Sequence, residues 1–139
     1  KLVPSGLTAR KEKEVAHVLP GKLETYIFKS EKEYYNDYEK SLYGITHKKG
    51  GWDCMRHLEI MANKCVPFFI GIDDCPPTTM VDYPKEVIAE AFHHIQDKTM
   101  TDELYGTYCQ MLYEHVANNQ TTVEQAKRII GILKNELNK

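Results

Sequence analysis

The sequence has few cysteines and no excess of charge of one sign, and each shortage excludes a class of protein. Four cysteines in 139 residues are too few for a disulfide-stapled fold of this length, and their scattered positions match no zinc signature. The 18 basic residues are balanced by 20 acidic ones, for a net charge of -2, which argues against wholesale attraction to nucleic acid or membrane surfaces. We therefore expect reduced thiols, no metal site and no nucleic-acid partner.

Long hydrophobic runs are also missing. No segment is apolar over the roughly 20 residues that a transmembrane helix needs, and no secretory leader is recognisable. These absences lead us to expect a cytoplasmic protein without a membrane span. There are no internal repeats, and a hydrophobic content of 42% over residues 1–139 is typical of one globular domain, with no room for a second of similar size.

Strand-like and helix-like segments alternate along the first two thirds of the chain, and helices follow. The strand candidates are rich in β-branched and aromatic residues, and they cover residues 23–28, 43–46 and 66–72. The helix candidates show apolar periodicity or capping signals, and they cover residues 5–18, 31–41, a central helix from Asp53, 84–97, 102–118 and 123–137. The last helix carries an apolar stripe that we expect to be buried: Val123, Ala126, Ile129, Ile130, Leu133 and Leu137.

This alternation predicts an α/β fold, namely a Rossmann-like three-layer domain with a small, mainly parallel sheet and extra C-terminal helices. The continuous apolar run at residues 66–72 favours an interior strand that is covered on both faces. Ligands of such sheets bind at the carboxyl ends of the strands. The loop at residues 48–53 follows the predicted strand at residues 43–46, so it is the first candidate for a binding loop.

The central stretch combines a glycine pair with a helix start. Gly50 and Gly51 let the backbone come close to a ligand, and the free N–H groups of the helix that Asp53 should cap suit an anion such as phosphate. On this helix, Cys54 and Cys65 are expected on the apolar face. His57 is expected to be a packed structural group rather than a catalytic one.

Several side chains near this helix start could complete a binding site. Arg56 and the pair Lys48 and Lys49 are candidates to neutralise a diphosphate, although a lysine doublet is equally typical of an ordinary surface. Trp52 could stack on a base or a sugar, or it could act as a hydrophobic staple onto the helix. Tyrosines 34, 35 and 38 are expected to pack rather than to form a sugar platform.

The stretch "GGWDCMRHLEIMANKCVPFFI", with "YEKSLYGITHKKGG" before it and "CPPTTMVDYPKEVI" after it, resembles the C-terminal, donor-binding domain of GT-B glycosyltransferases, especially the exostosin-like ones. The resemblance covers about residues 23–97. It implies that Glu59 hydrogen-bonds the ribose hydroxyls of a nucleotide and that Thr78 and Thr79 lie in a loop facing the donor. The chain departs from the pattern at Gly51, where many of these enzymes have an acid, and at Asn63-Lys64, where they have a glycine turn.

The resemblance implies a domain that binds a nucleotide-diphosphate sugar, as the donor half of a glycosyltransferase. Such an enzyme also needs an acceptor-binding domain or a second chain, so we expect little activity from this part alone. No cofactor is expected, and the catalytic residues are not identified. The alternative is a non-catalytic interaction module that has lost its ligand, in which Glu59 and Arg56 merely form a surface pair one helical turn apart.

Overall fold

The fold is a parallel α/β arrangement with three strands, seen in a computed structural model that describes residues 11–137. Strands and helices alternate, followed by three helices in succession. In chain order they are β1 (Lys13–Val15), α1 (Glu31–Glu39), β2 (Ser41–His47), α2 (Met55–Ala62), β3 (Val66–Ile70), α3 (Lys85–Gln96), α4 (Asp102–Asn119) and α5 (Thr122–Leu137). The strand order is β1-β2-β3 with both pairings parallel, which confirms the predicted fold class and its Rossmann-like topology.

Helices cover both faces of the sheet because alternate residues of each strand point in opposite directions. On one face, Gly44 and Thr46 of β2 contact α2. On the other face, Phe68 of β3 packs against Phe92 of α3, with ring centroids 4.9 Å apart. Most of the large buried residues lie in one cluster formed by α2, β3, α3 and α4. The sequence is therefore folded into three layers, with the loops that follow the strands gathered at one edge.

The beginning of the chain differs from the prediction. A helix was expected over residues 5–18, and of these only residues 11–18 lie in the described part of the chain. There Lys13–Val15 forms an exposed strand, in which Lys13 pairs with Ser41 and Val15 with Tyr43. This prediction was wrong because the charged residues around Lys13 have no apolar alternation, and only the distant partner strand β2 makes them a strand.

The predicted strand at residues 23–28 is also absent. Leu23–Thr25 forms a 3-10 turn instead, and Leu23 is exposed. The turn is closed by Thr25, whose hydroxyl accepts a hydrogen bond from the Leu19 N–H (3.0 Å) and donates to the Lys22 carbonyl (2.7 Å). Local side-chain bonds of this kind compete with strand pairing, and here they prevail.

Strand β3 lies at the edge of the described sheet, and β2 is the middle strand. The prediction of an interior strand over residues 66–72 was wrong in this respect. The strand ends at Ile70 because Gly71 takes a left-handed conformation with φ +78°, which glycine adopts without a steric penalty. Both faces of β3 are nevertheless covered: Phe69 is fully buried, and Phe68 packs against the main cluster.

The last helix provides the largest correction. Helix α5 forms almost where expected, with Thr121 accepting a hydrogen bond from the Glu124 N–H at 3.3 Å, but it contains no buried residue. The predicted stripe is present as a sequence pattern, yet all six of its members are exposed. The prediction of burial was wrong because periodicity shows that a helix has an apolar face, not that a partner covers it.

Candidate functional site

One crevice of the described chain lies at the carboxyl edge of the sheet, where ligands of parallel α/β folds bind. Its volume is about 730 Å³, and it is bounded by the start of α2, the loop after β3 and the first turns of α5. Three of the predicted site residues line it together: Asp53, Thr78 and Thr79. The apolar part of the lining comes from Met55, Leu58, Met80, Val81, Ala126 and Ile129.

The glycine loop is open to solvent. A Cβ atom built on Gly50 or on Gly51 would meet no other atom within 4 Å, so neither glycine is required for packing. Within the loop, the Lys49 N–H donates a long hydrogen bond to the Gly51 carbonyl (3.3 Å). The two glycines therefore leave open space beside the backbone, and a ligand at this loop stays a prediction.

Trp52 is held against the core rather than projecting freely. Its ring stacks on Phe69 with centroids 6.2 Å apart, and the Lys48 ammonium lies 5.2 Å from the Trp52 ring centre. The Trp52 carbonyl accepts a hydrogen bond from His57 Nε2 at 2.9 Å. These contacts place Lys48 next to the glycine loop and hold the end of the loop, at Trp52, against the sheet.

His57 is a structural residue, as predicted. Its side chain is fully buried, with Nε2 bonded to the Trp52 carbonyl and Nδ1 3.1 Å from the Thr46 hydroxyl. Because a carbonyl can only accept, Nε2 carries the proton and Nδ1 accepts from Thr46. Burial lowers the pKa of His57, so the imidazole is neutral. Both ring nitrogens are thus occupied in positioning the loop.

The start of α2 differs from the predicted capping arrangement. The residue at the N-cap is Cys54, and its side chain makes no capping hydrogen bond. Asp53 lies one residue earlier and lines the crevice instead. Cys54 is exposed and does not belong to the apolar face, while Cys65 is buried beyond the end of the helix. The first turn of α2 thus lacks a side-chain cap and borders the crevice through Met55.

Arg56 and Glu59 lie in a separate cluster with tyrosines. Glu59 Oε2 accepts a hydrogen bond from the Tyr34 hydroxyl at 2.8 Å, and the Arg56 guanidinium donates to the Tyr26 hydroxyl. Burial, as the main cause, raises the pKa of Tyr34 to about 12, so its hydroxyl stays protonated and donates to Glu59. Among the described residues, Arg56 and Glu59 form no ion pair with each other, and neither lines the crevice beside Asp53.

The loop that carries the two threonines is held by a lysine that the sequence analysis did not identify. Lys85 Nζ donates to the carbonyls of Pro76 (3.2 Å), Pro77 (3.3 Å) and Thr79 (2.8 Å). No sequence pattern marks this role, because the acceptors are backbone carbonyls that any residue supplies. The result is a fixed loop conformation that brings Thr78 and Thr79 to the crevice.

Asp82 anchors the same loop to the C-terminal helices. Its carboxylate pairs with Arg128 of α5, and its carbonyl accepts hydrogen bonds from His115 Nε2 and from the Gln120 side chain, both at 2.6 Å. These residues are distant in sequence, so the arrangement depends on the packing of α4 and α5. The charge of Asp82, which also lines the crevice, is balanced by Arg128.

The described residues contain no group of three or more His, Cys, Asp or Glu side chains able to hold a metal ion. The neighbouring histidines bond in different places, His93 to Asp73 (3.1 Å) and His94 to the Thr99 hydroxyl (2.7 Å). Within residues 11–137, no helix is both long and apolar enough to cross a membrane.

Comparisons of the chain with protein-family models, with curated proteins and with solved structures find no match. The resemblance to the donor domain of GT-B glycosyltransferases thus stays a prediction from the residues that carry it.

Proposed function

We propose that this chain binds the nucleotide-diphosphate part of an activated sugar at the carboxyl edge of its sheet, as the donor half of a glycosyltransferase. The observation that carries the proposal is the crevice of about 730 Å³, whose size falls within the range typical of small-molecule sites. It brings together Asp53, Thr78 and Thr79 from segments that are distant in sequence. An acceptor-binding domain or a second chain would complete the enzyme.

The start of α2 is where the diphosphate would lie. Lys48 and Lys49 are outside the crevice lining, but they belong to the open glycine loop that leads to the uncapped start of α2, so a diphosphate bound at this helix start would have cations near it. Cations fixed there would stabilise the charge that develops on the departing diphosphate during sugar transfer. Arg56 is not available for this role, because Tyr26 holds its guanidinium in the tyrosine cluster.

The carboxylate that would bind the ribose is Asp53 rather than Glu59. An ionised acceptor bonds sugar hydroxyls well, and Asp53 borders the crevice. Glu59 is occupied by Tyr34, and Asp82 is paired with Arg128. The apolar residues Met55, Leu58 and Ile129 would provide the surface for the base.

Titration calorimetry with UDP, GDP and ADP tests the proposal. We expect weak binding of at least one nucleotide, and a fall in affinity of about tenfold or more in a Lys48→Ala, Lys49→Ala double variant, because a charge-assisted contact is worth roughly 1.5 to 3 kcal/mol. Lys134→Ala is the matched control, since this lysine lies on α5 outside the crevice lining. An absence of heat with all three nucleotides at millimolar concentration would contradict the proposal.

Two carboxylate variants test the placement of the ribose. Asp53→Asn should weaken binding about tenfold, whereas Glu59→Gln should leave affinity unchanged, because an amide oxygen still accepts the Tyr34 hydrogen bond. Melting temperatures measured on both variants separate a binding effect from a folding effect. If affinity falls only in Glu59→Gln, the ribose binds Glu59 rather than Asp53. That result would contradict the assignment of the nucleotide site to this crevice.

The second candidate function is a non-catalytic interaction module. Two observations favour it: Gly51 stands where the resembling enzymes have an acid, and helix α5 exposes an apolar face. This candidate predicts that no nucleoside diphosphate binds and that a protein partner covers α5. The nucleotide titrations distinguish it directly from the first candidate.

A further inference from the structure

Helix α5 exposes a continuous apolar face. Val123, Ile130, Leu133 and Leu137 have exposed fractions between 51% for Ile130 and 85% for Leu137. Large contiguous apolar patches are uncommon on monomeric proteins and mark interaction sites. The first turns of the helix are tied to the rest of the chain by the Arg128–Asp82 pair, so the helix is positioned while its apolar face stays open.

The spacing of this face is that of a coiled coil. Five apolar residues of α5 are alternately three and four residues apart, which is the heptad pattern of core positions a and d. Val123, Ile130 and Leu137 fall at position a, and Ala126 and Leu133 fall at position d, while Ile129 and Ile132 lie at other positions. Within parallel coiled coils, β-branched residues at a combined with leucine at d favour two strands. Val123, Ile130 and Leu133 fit this rule, so the pattern indicates a pair of helices.

The charges that flank the apolar face indicate the direction of the pair. Lys127 and Lys134 occupy the two e positions. In an antiparallel pair of α5 helices, position e faces position e of the partner, so lysine would face lysine. In a parallel pair in register, position e faces the preceding position g, so Lys127 would face Thr122 and Lys134 would face Ile129 of the second copy, and no lysine would meet a cation. Lys127 keeps its exposed bond to Glu124 (2.7 Å) in either case.

We propose that α5 pairs with α5 of a second copy of this chain in a short parallel coiled coil, which makes the protein a symmetric homodimer. Two-fold symmetry closes such an interface, because the same face is used on both copies. Ala126 belongs both to the seam and to the crevice lining, so the second copy would lie beside the candidate binding site. The pairing itself needs no nucleotide.

Sedimentation velocity from micromolar to near-millimolar protein concentration tests the proposal. We expect the average mass to rise from monomer to dimer, and Ile130→Glu to weaken the association at least tenfold. Ile132→Glu is the matched control, because Ile132 is equally exposed at 53% but lies off the seam. Circular dichroism checks that both variants keep their helix content. A wild-type chain that stays monomeric at every concentration would overturn the proposal. So would an association that persists in Ile130→Glu, or one that is lost in both variants.

Cysteine cross-linking tests the direction of the pair. In a background where the accessible thiols are removed by Cys54→Ser and Cys75→Ser, Leu133→Cys should form a disulfide-linked dimer on oxidation, because a parallel pair brings residue 133 against its counterpart. An antiparallel pair would instead link Leu133→Cys to Val123→Cys when the two variants are mixed. If only that mixed product forms, the parallel arrangement is wrong.

Discussion

Thr46, His57 and Trp52 form a hydrogen-bonded chain that connects the middle strand to the candidate binding loop. The hydroxyl of Thr46 donates to His57 Nδ1, and His57 Nε2 donates to the Trp52 carbonyl. Phe69 packs against both rings, at 4.7 Å from His57 and 6.2 Å from Trp52. A neutral imidazole is required, because protonated Nδ1 could no longer accept from Thr46.

This requirement makes folding stability depend on pH. Because the folded-state pKa of His57 lies below 6.5, the unfolded chain binds the proton first as the pH falls. The contribution of neutral His57 is therefore complete above pH 6.5 and declines below it, by at most about 1.4 kcal/mol per pH unit. We expect the stability difference between the wild type and His57→Gln to shrink from pH 7.5 to pH 5.5, measured by denaturant unfolding. A difference that stays constant would show that His57 is not buried as the neutral form.

At the scale of elements, the contact between β2 and α2 sets the position of the glycine loop between them. Gly44 lies under Ile60, and a Cβ added to Gly44 would come within 2.8 Å of Ile60 Cγ1 and 2.9 Å of its Cδ1. Ile60 is itself fully buried with Ala16, Tyr38 and Cys65. The absence of a side chain at Gly44 thus lets α2 pack closely on the sheet.

Gly44→Ala should destabilise the fold by about 1 to 3 kcal/mol, because the added methyl overpacks a buried contact. Gly51→Ala is the matched control and should change stability by less than about 0.5 kcal/mol, since its Cβ would meet nothing within 4 Å. Chemical denaturation of both variants measures the difference. Combining Gly44→Ala with Ile60→Val, which removes Cδ1, should cost less than the sum of the two changes. Equal effects of the two alanine substitutions would contradict this packing.

At the scale of the whole molecule, stability is distributed unevenly. Strand β3 and helix α2 are buried between α1, α3 and α4, whereas α5 contributes no buried residue. Segments with few buried contacts open locally at low free-energy cost. The fold therefore consists of a packed α/β core and helix α5, whose stability depends on the surface that covers it.

Hydrogen exchange should reflect this difference. In dilute solution we expect the amides of α5 to exchange much faster than those of β2, β3 and α2, because opening α5 exposes little new apolar surface. Raising the protein concentration should slow exchange in α5 alone, since pairing protects only that helix. Peptide-resolved mass spectrometry at two concentrations measures both effects. Protection of α5 equal to that of β3 in dilute solution would show that α5 is packed within one chain.

Elements whose signals are local can be predicted from neighbouring residues alone. The Ser30 cap of α1, the apolar run of β3 and the capped starts of α4 and α5 are properties of neighbouring residues, so the parallel α/β class could be predicted. Local signals also predicted a glycine loop before α2 and the structural role of His57. The donor-facing role of Thr78 and Thr79 was implied only by the resemblance and stays a prediction, and Asp53, expected to cap the helix, lines the crevice instead.

The partners of these elements, by contrast, follow from contacts between distant parts of the chain. Lys13–Val15 becomes a strand through pairing with β2, Glu59 faces Tyr34 rather than the crevice, and the apolar stripe of α5 remains uncovered. The first two outcomes depend on groups that lie far apart in sequence. The third depends on whether another surface meets α5. The spacing of apolar residues shows which face of a helix is apolar. The free energy of burying that face depends on the surface that meets it.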